Sequence, residues 1–404
     1  MTSERPVDAA GPATPDPTTP DPSRAVRKDE HLDLALTQHG DPRRQNEFDD
    51  LDLVHHALDG IDADLVDLRV RVPYAAGPQH AAGHWDWETP FYVNGMTGGT
   101  ERTARVNRQL AIAARETGMP MACGSVSVAL DEPATAAGFT VIREENPNGF
   151  VMANLGVGRP ADDAPRAVEL LDADALQVHV NAVQETAMPE GSRDFSSWLT
   201  SVEQLVEASP VPVLVKEVGF GLSRRTLTRL HEMGVALADV SGRGGTDFLQ
   251  IENARTTDGG YGMLAGFGQS ALACLLEAPA QRPTLVASGG VRNPYDVIKA
   301  LSAGAHAVGV AGSFVSLLGA DGSADLPTGT AAEAARTDAG AARLIELVGT
   351  WKARYRGIAA LLGAQTRDDL RTTDLIVRGR LRDFCESRGV DLAALARRSE
   401  ARPS

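Results

Sequence analysis

The sequence predicts an α/β protein: a parallel (β/α)8 TIM barrel with an N-terminal extension and a C-terminal helical tail. Two observations carry this expectation. From residue 91 onward, short apolar runs alternate with amphipathic helical segments, and each run ends in glycine or polar residues. Late in that series, residues 285–314 (LVASGGVRNPYDVIKALSAGAHAVGVAGSF) read as strand, glycine turn, helix, strand, glycine turn. Taken alone, that stretch also fits a Rossmann-type sheet with a glycine-rich turn. The barrel reading rests on the repeat that precedes it.

Composition sets the bounds. The chain has 404 residues, 43% hydrophobic and 23% charged, as in ordinary globular proteins. A formal charge of −15 argues against general binding to nucleic acid or to an anionic membrane. An anionic ligand would therefore need a local basic pocket. No apolar run approaches the ~20 residues of a membrane span, and the N-terminus lacks the apolar core of a signal peptide. Three widely spaced cysteines, Cys123, Cys274 and Cys385, show neither metal-ligand spacing nor a disulfide framework, which points to the cytoplasm.

Taken in order, residues 1–25 hold six prolines among Asp, Thr, Ser and Ala and read as a disordered leader. Residues 26–90 form an N-terminal segment. Within it Arg27, Lys28, Asp29, Glu30 and His31 precede Leu32, Leu34, Ala35 and Leu36 at helical spacing, so Arg27 and Lys28 are expected just outside a helix start. Two readings stay open there: a solvated charge run, or an anion clamp with arginine as fork and lysine as point charge. Residues 65–72 and 85–88 read as two short strands around a loop, suited to capping one end of a barrel. The barrel itself is expected over residues 91–385. Its strands are placed at 91–96, 120–123, 149–154, 175–180, 211–218, 235–240, 285–287 and 305–310. Helices fall at 101–117, 162–171, 201–208, 222–233 and 268–277, then after residue 293, where Asn293 is a good N-cap and Pro294 fits the first helical position. A long helix over 341–362 and a polar tail over 386–404 complete the chain.

Active sites of such barrels lie at the C-terminal strand ends. Ser288, Gly289 and Gly290, then Ala311, Gly312 and Ser313, end the last two strands and present bare backbone N–H groups, a phosphate site by construction. The loop from Ser241 to Thr246 is a second glycine-rich anion nest. In the run LQVHVN, Gln177, His179 and Asn181 share one strand face. They form either a satisfied core network or, with Gln184 and Glu185 in the loop above, a substrate or metal site. One carboxylate without clustered His or Cys suits a Mg²⁺ bridged to a substrate phosphate better than a zinc cage. Lys216, inside an apolar strand, either pairs with an acid such as Glu217 or faces an anionic or electron-rich cofactor. A phosphorylated cofactor along one rim fits flavin mononucleotide (FMN).

Together these residues resemble the type 2, FMN-dependent isopentenyl-diphosphate isomerases. The likeness rests on Arg27-Lys28 with Glu30-His31, MTGG at 96–99, Gly124-Ser125, Asn154-Leu155-Gly156, QVHVNAVQE ending at Glu185, PEGSRDF at 189–195, VKEVGFG at 215–221, DVSGRGGTDF at 239–248, ASGGVR and AGSF. The order and spacing of these motifs are more specific than any one of them. The resemblance implies interconversion of isopentenyl and dimethylallyl diphosphate with reduced FMN, Mg²⁺ and NADPH, in a homo-oligomer (tetramer or octamer). It implies that Met96, Thr97, Gly98, Ser125, Asn154, Lys216, Ser241 and Thr246 hold the flavin ring and ribityl chain. Gly289, Gly290, Arg292, Ala311 and Gly312 would hold its phosphate. Arg27, Lys28, His179 and Gln184 would contact the substrate, the first two at its diphosphate, and Glu185 would bind Mg²⁺. His179 and Gln184 are the implied catalytic residues; an amide is too weak a base to work alone, so Gln184 is expected to act by position.

Two stretches depart from the family pattern. Val126-Ser127 stands where many members carry Gln-Arg, so an arginine contact to the diphosphate is either missing or supplied by Arg159 or Arg193. Phe267 to Ala271 replaces a Trp-Gly run followed by threonine. The alternative functions are an FMN-dependent oxidoreductase of the α-hydroxy-acid oxidase type and a non-catalytic flavin-binding protein. The first resembles this chain in barrel and phosphate turn, but needs a histidine in the loop after the sixth strand, where residues 241–246 have none.

Overall fold

The computed structural model describes residues 22–39, 45–95, 98–256, 260–319 and 331–401. Eight parallel strands close into a barrel: β1 (Phe91–Val93), β2 (Met121–Ala122), β3 (Val151–Gly156), β4 (Ala175–Val180), β5 (Val213–Glu217), β6 (Leu237–Asp239), β7 (Thr284–Ser288) and β8 (Val308–Val310). Neighbours in the barrel are neighbours in the chain, and β8 closes onto β1 with Val308 opposite Phe91. Most strands are shorter than the apolar runs suggest. Residues drop out of the ladder at the start of some runs, as at 305–307, and at the end of others, as at 94–95.

Apolar residues on both strand faces build two cores. Outward residues such as Val178 and Val215 pack under the helices. A second cluster inside the barrel joins small residues, Ala122, Ala175 and Ala307, and larger ones, Met152, Leu214 and Leu237, with Val70, Val72 and Trp87. The last three belong to an antiparallel hairpin, Val70–Tyr74 with Gly83–Trp87, Val70 opposite Trp87. The hairpin packs against residues at the N-terminal ends of the barrel strands, and it spans 70–74 and 83–87 where strands over 65–72 and 85–88 are expected. The register of the central strands sets polar residues side by side at the other end: Asn154 lies beside Gln177, and His179 beside Lys216.

Several expectations need correction. A helix spans Pro22–His39, so residues 22–25 are helical rather than part of a disordered leader; residues 1–21 lie outside the described residues. Arg27 and Lys28 consequently sit within that helix, not ahead of it. Pro22 suits the first helical position, and the helix-compatible run after it extends the helix upstream of the charge cluster. Gln184 and Glu185 lie on a short helix, Ala182–Ala187, rather than in a loop. Helices Ala137–Glu145 and Phe248–Ala254 are additional, and the long helix runs over Ala331–Leu361. The C-terminal tail is not merely polar: Val390, Leu392 and Leu395 pack against the core. A short strand, Leu375–Val377, pairs antiparallel with Leu51–Leu53 and ties the two terminal regions together. No described helix is long and apolar enough to cross a membrane.

Candidate active site

The C-terminal mouth of the barrel opens into a cavity of about 1240 Å³. Its floor is a belt of buried polar side chains centred on Asp239, which is fully buried. The Asp239 carboxylate accepts from the Tyr92 hydroxyl at 3.1 Å, Asn94 Nδ2 at 2.9 Å, Ser288 Oγ at 2.9 Å and the Ser241 backbone N–H at 3.0 Å. The belt continues through the side chains of Asn94, Gln177, Asn154 and His179. A buried polar group costs stability unless it is hydrogen-bonded, and this belt supplies partners to each member in turn.

Lys216 is buried at the same level. Its Nζ donates to the Glu217 backbone carbonyl at 3.0 Å and to Ser241 Oγ at 3.4 Å. Burial pushes its ammonium below the usual lysine range, while the nearby Asp239 and Glu217 carboxylates oppose that shift. Lys216 does not hydrogen-bond the Glu217 carboxylate. That group accepts from Val218 N–H at 2.7 Å and Phe220 N–H at 2.5 Å, and burial raises it to about 7. Burial, followed by the charge on Lys216, lowers His179 to about 4. Asn154 donates through Nδ2 to Gln177, so its Oδ1, 2.9 Å from His179 Nδ1, accepts the imidazole N–H. The ring is neutral at physiological pH, and Nε2 is left as its acceptor nitrogen.

One wall is built of glycine turns. Gly289 and Gly290 have φ of +94° and +81°. A Cβ on Gly289 would lie 2.0 Å from the Gly242 carbonyl oxygen, and one on Gly245 would lie 2.8 Å from the Gly290 nitrogen. Two loops from neighbouring strands thus pack backbone to backbone, leaving room for nothing larger than glycine. Asn46 Nδ2 ties the Gly290 carbonyl at 2.6 Å. The N–H groups of such turns, with the polar belt below, match the donor needs of a phosphate, a ribityl chain and a flavin ring, and the residues present fit flavin mononucleotide.

The opposite wall carries Gln184 and Glu185. Gln184 Nε2 donates to Glu252 Oε1 at 2.9 Å, and Glu252 is fully buried. Glu185 accepts from Asn181 Nδ2 at 3.1 Å and from the Ser192 N–H at 3.0 Å. Among the described residues, no group of three or more His, Cys, Asp or Glu side chains is placed to hold a metal. The donor set suits an ion held by one carboxylate and by ligand oxygens. Helix Pro22–His39 contributes Leu32, Ala35, Gln38 and His39 to the cavity wall. It is pinned by Asp29 to Thr100 Oγ1 at 2.8 Å, and by the Gln38 amide to the backbone of Asp247 at 2.8 and 3.0 Å.

The predicted site residues converge well. Gly98, Ser125, Asn154, His179, Gln184, Glu185, Lys216, Ser241, Thr246, Gly289, Gly290, Arg292, Ala311 and Gly312 all line this one cavity. Met96 and Thr97 lie outside the described residues, as do the side chains of Arg27 and Lys28. Arg292 is committed within the protein, its guanidinium bridging Asp296 and Asp49 at 2.7–3.1 Å. Arg159 reaches the cavity wall but is spent on Asp131 and Asp163, and Arg193 turns back onto the Gly191 carbonyl. Ser127 pairs with Ser125, Oγ to Oγ at 2.9 Å. Sequence reasoning misses Asn46, Asn94, Glu252 and Arg255. A signal exists for Glu252, an acid in an apolar run, but the helix that carries it is too short to show its period.

Comparison with known proteins agrees with this geometry. The family profile for FMN-dependent dehydrogenases matches residues 162–331. Among solved structures, a flavocytochrome b2 with benzoylformate superposes with a TM-score of 0.56 at 19% identity, over 87% of this chain and 81% of its own. A mandelate oxidase with a monooxide FMN adduct gives 0.51 at 18%, over 86% and 92%. At such identities the likeness is one of fold. The isopentenyl-diphosphate delta-isomerase of Nocardia farcinica (strain IFM 10152) is 49% identical over 92% of this chain and 96% of its own. That of Streptomyces sp. (strain CL190) is 46% identical over 93% and 96%. The cavity and these near full-length relatives agree, and the chain belongs to the isopentenyl-diphosphate delta-isomerase family.

Proposed function

We propose that this protein interconverts isopentenyl diphosphate and dimethylallyl diphosphate, using reduced FMN, Mg²⁺ on the diphosphate, and NADPH as the reductant. The observation that carries this reading is the convergence of the glycine turns, Lys216, His179, Gln184 and Glu185 in one cavity of a chain so close to proteins of that name.

Moving the double bond requires a proton gained at one carbon and lost at another, with positive charge developing between them. Reduced flavin, when bound, supplies an electron-rich ring and a nitrogen that can carry the proton. The remaining work falls to the chain. The turns at Gly289–Gly290 and Ala311–Gly312 take the cofactor phosphate through backbone N–H groups, and Arg292 holds the first turn in shape through Asp296 and Asp49. Gly98, Ser125, Asn154, Lys216, Ser241 and Thr246 take the ring and ribityl chain, with Met96 and Thr97 completing that set. His179, held neutral, contacts the substrate without adding positive charge beside the developing cation. Gln184, fixed through Glu252, orients the substrate. Arg27 and Lys28 take the diphosphate. Each Glu185 oxygen accepts one hydrogen bond and keeps a lone pair for Mg²⁺.

The oxidoreductase alternative lacks a histidine base in the loop 241–246. The free, buried cysteines suit a cytoplasmic protein, and we place this one there as a homo-oligomer, a tetramer or octamer. The test is anaerobic incubation of the FMN- and Mg²⁺-loaded protein with NADPH and isopentenyl diphosphate. Dimethylallyl diphosphate should form, and should fail to form with oxidised flavin or after chelation of Mg²⁺. Bound, reduced flavin with no isomer formed would reject the isomerase in favour of the non-catalytic flavoprotein.

A further inference from the structure

Three described arginines line the cavity: Arg159, Arg255 and Arg292. Two are committed on every nitrogen. Arg159 bonds Asp131 and Asp163 through Nε, Nη1 and Nη2, and Arg292 bonds Asp49 and Asp296 in the same way. Arg255 differs. Its Nη1 donates to Glu252 Oε2 at 2.6 Å. Its other edge faces two carboxylates beyond hydrogen-bond distance: Nε is 3.8 Å from Glu30, and Nη2 is 3.6 Å from Glu190. Both glutamates are about half exposed, with side-chain accessibilities of 51% and 44%.

We propose that Arg255 binds the diphosphate of the substrate through its Nε–Nη2 edge, a role that rests on the isomerase reading above. Neutralising the buried Glu252 accounts for Nη1 alone. The other edge is a planar two-donor fork, the geometry that phosphate oxygens accept in pairs. Exposed, long ion pairs are weak, so Glu30 and Glu190 hold the fork in place without consuming it, and a multiply charged diphosphate displaces them. The location fits. Glu30 lies on the helix that carries Arg27 and Lys28, and Glu190 comes just after the short helix that carries Gln184 and Glu185. Through Glu252, Arg255 and Gln184 share one carboxylate, so the diphosphate contact and the residue orienting the hydrocarbon end are set by the same group.

The test uses FMN-loaded protein and inorganic pyrophosphate with Mg²⁺, titrated by calorimetry so that no turnover is needed. Arg255→Gln should weaken pyrophosphate binding about tenfold or more, the worth of one or two charge-assisted hydrogen bonds. It should raise KM for isopentenyl diphosphate more than it lowers kcat, and leave the flavin content and absorbance spectrum unchanged. Glu190→Gln removes a competitor and should tighten pyrophosphate binding; it decides the matter if Arg255→Gln does not fold. Equal pyrophosphate binding by wild type and Arg255→Gln, no binding by either, or weaker binding by Glu190→Gln overturns the proposal. Arg255-dependent pyrophosphate binding in a protein that forms no dimethylallyl diphosphate would instead reject the isomerase reading and leave Arg255 as an anion contact.

Discussion

Asn94 and Asp239 meet across the floor of the cavity, Asn94 Nδ2 standing 2.9 Å from Asp239 Oδ2. Asn94 comes directly after β1 and Asp239 ends β6, so this contact, with those from Tyr92 and Ser288 to the same carboxylate, braces β1, β6 and β7 from inside. The carboxylate also opposes the loss of charge on Lys216.

Removing Asp239 should therefore be costly. Asp239→Ala leaves Tyr92, Asn94 and Ser288 short of an acceptor and deprives Lys216 of the stronger of its two carboxylate neighbours. A loss of about 3–5 kcal/mol is expected, as when one member of a buried charged pair is deleted. Denaturant unfolding of the flavin-free protein measures it. The double variant with Lys216→Met should lose less than the sum of the two single changes. A loss below about 1 kcal/mol for Asp239→Ala, typical of a dispensable surface group, would show that the belt is not a stabilising unit.

Glu217 gives a pH prediction with a definite sign. Its folded-state pKa is raised to about 7 from 4.5. The folded protein thus holds a proton that the unfolded chain has already released, so this group's contribution to stability is present below pH 4.5 and is lost as the pH rises through 7. Glu217→Gln cannot ionise, and its amide oxygen can still accept from Val218 and Phe220. Melting temperatures of both proteins between pH 4.5 and 8 should show the variant gaining on wild type as the pH rises, by about 3 kcal/mol at most. A difference independent of pH would contradict the raised value.

Gly289→Ala should abolish flavin retention. The substitution puts a side chain at φ +94°, unfavourable for any residue with a Cβ, and drives that atom to 2.0 Å from the Gly242 oxygen. The two loops must separate, and the N–H cradle opens with them. The flavin-to-protein ratio after purification checks this. A neighbouring change outside the cradle, such as Ala300→Gly in the next helix, should cost about 1 kcal/mol of stability and retain the cofactor. Full flavin content in Gly289→Ala would refute the assignment of this turn.

Much of the site is legible in the linear chain because the chemistry of a turn is local. Gly289 and Gly290 declare themselves by what only glycine allows, and Asn293 caps its helix through Tyr295 and Asp296 as its position suggests. Gln177, His179 and Asn181 alternate along one strand as its periodicity demands; His179 and Asn181 line the cavity, and Gln177 is buried in the belt beneath it. The helix around Arg27 and Lys28 starts upstream of its charge cluster because helix starts depend on weak local preferences that extend over several residues. The short helix holding Gln184 and Glu185 looks like a loop in the sequence because six residues carry too little periodicity to be recognised.

The parallel barrel, the glycine turns of its last two strands and the cluster after its fourth are written in the linear chain, because each rests on patterns local to a strand, a turn or a helix. Which polar groups meet is set by the fold. Asn94 and Asp239 are 145 residues apart, and Gln184 and Glu252 are 68 apart. Barrel closure and strand register bring such pairs into hydrogen-bond distance. The same closure commits Arg159 and Arg292 to carboxylates at hydrogen-bond distance, while the Nε–Nη2 edge of Arg255 faces Glu30 and Glu190 at 3.8 and 3.6 Å. A charged residue in a sequence announces that it needs a partner; which partner it finds is settled by the packing of elements far apart in the chain.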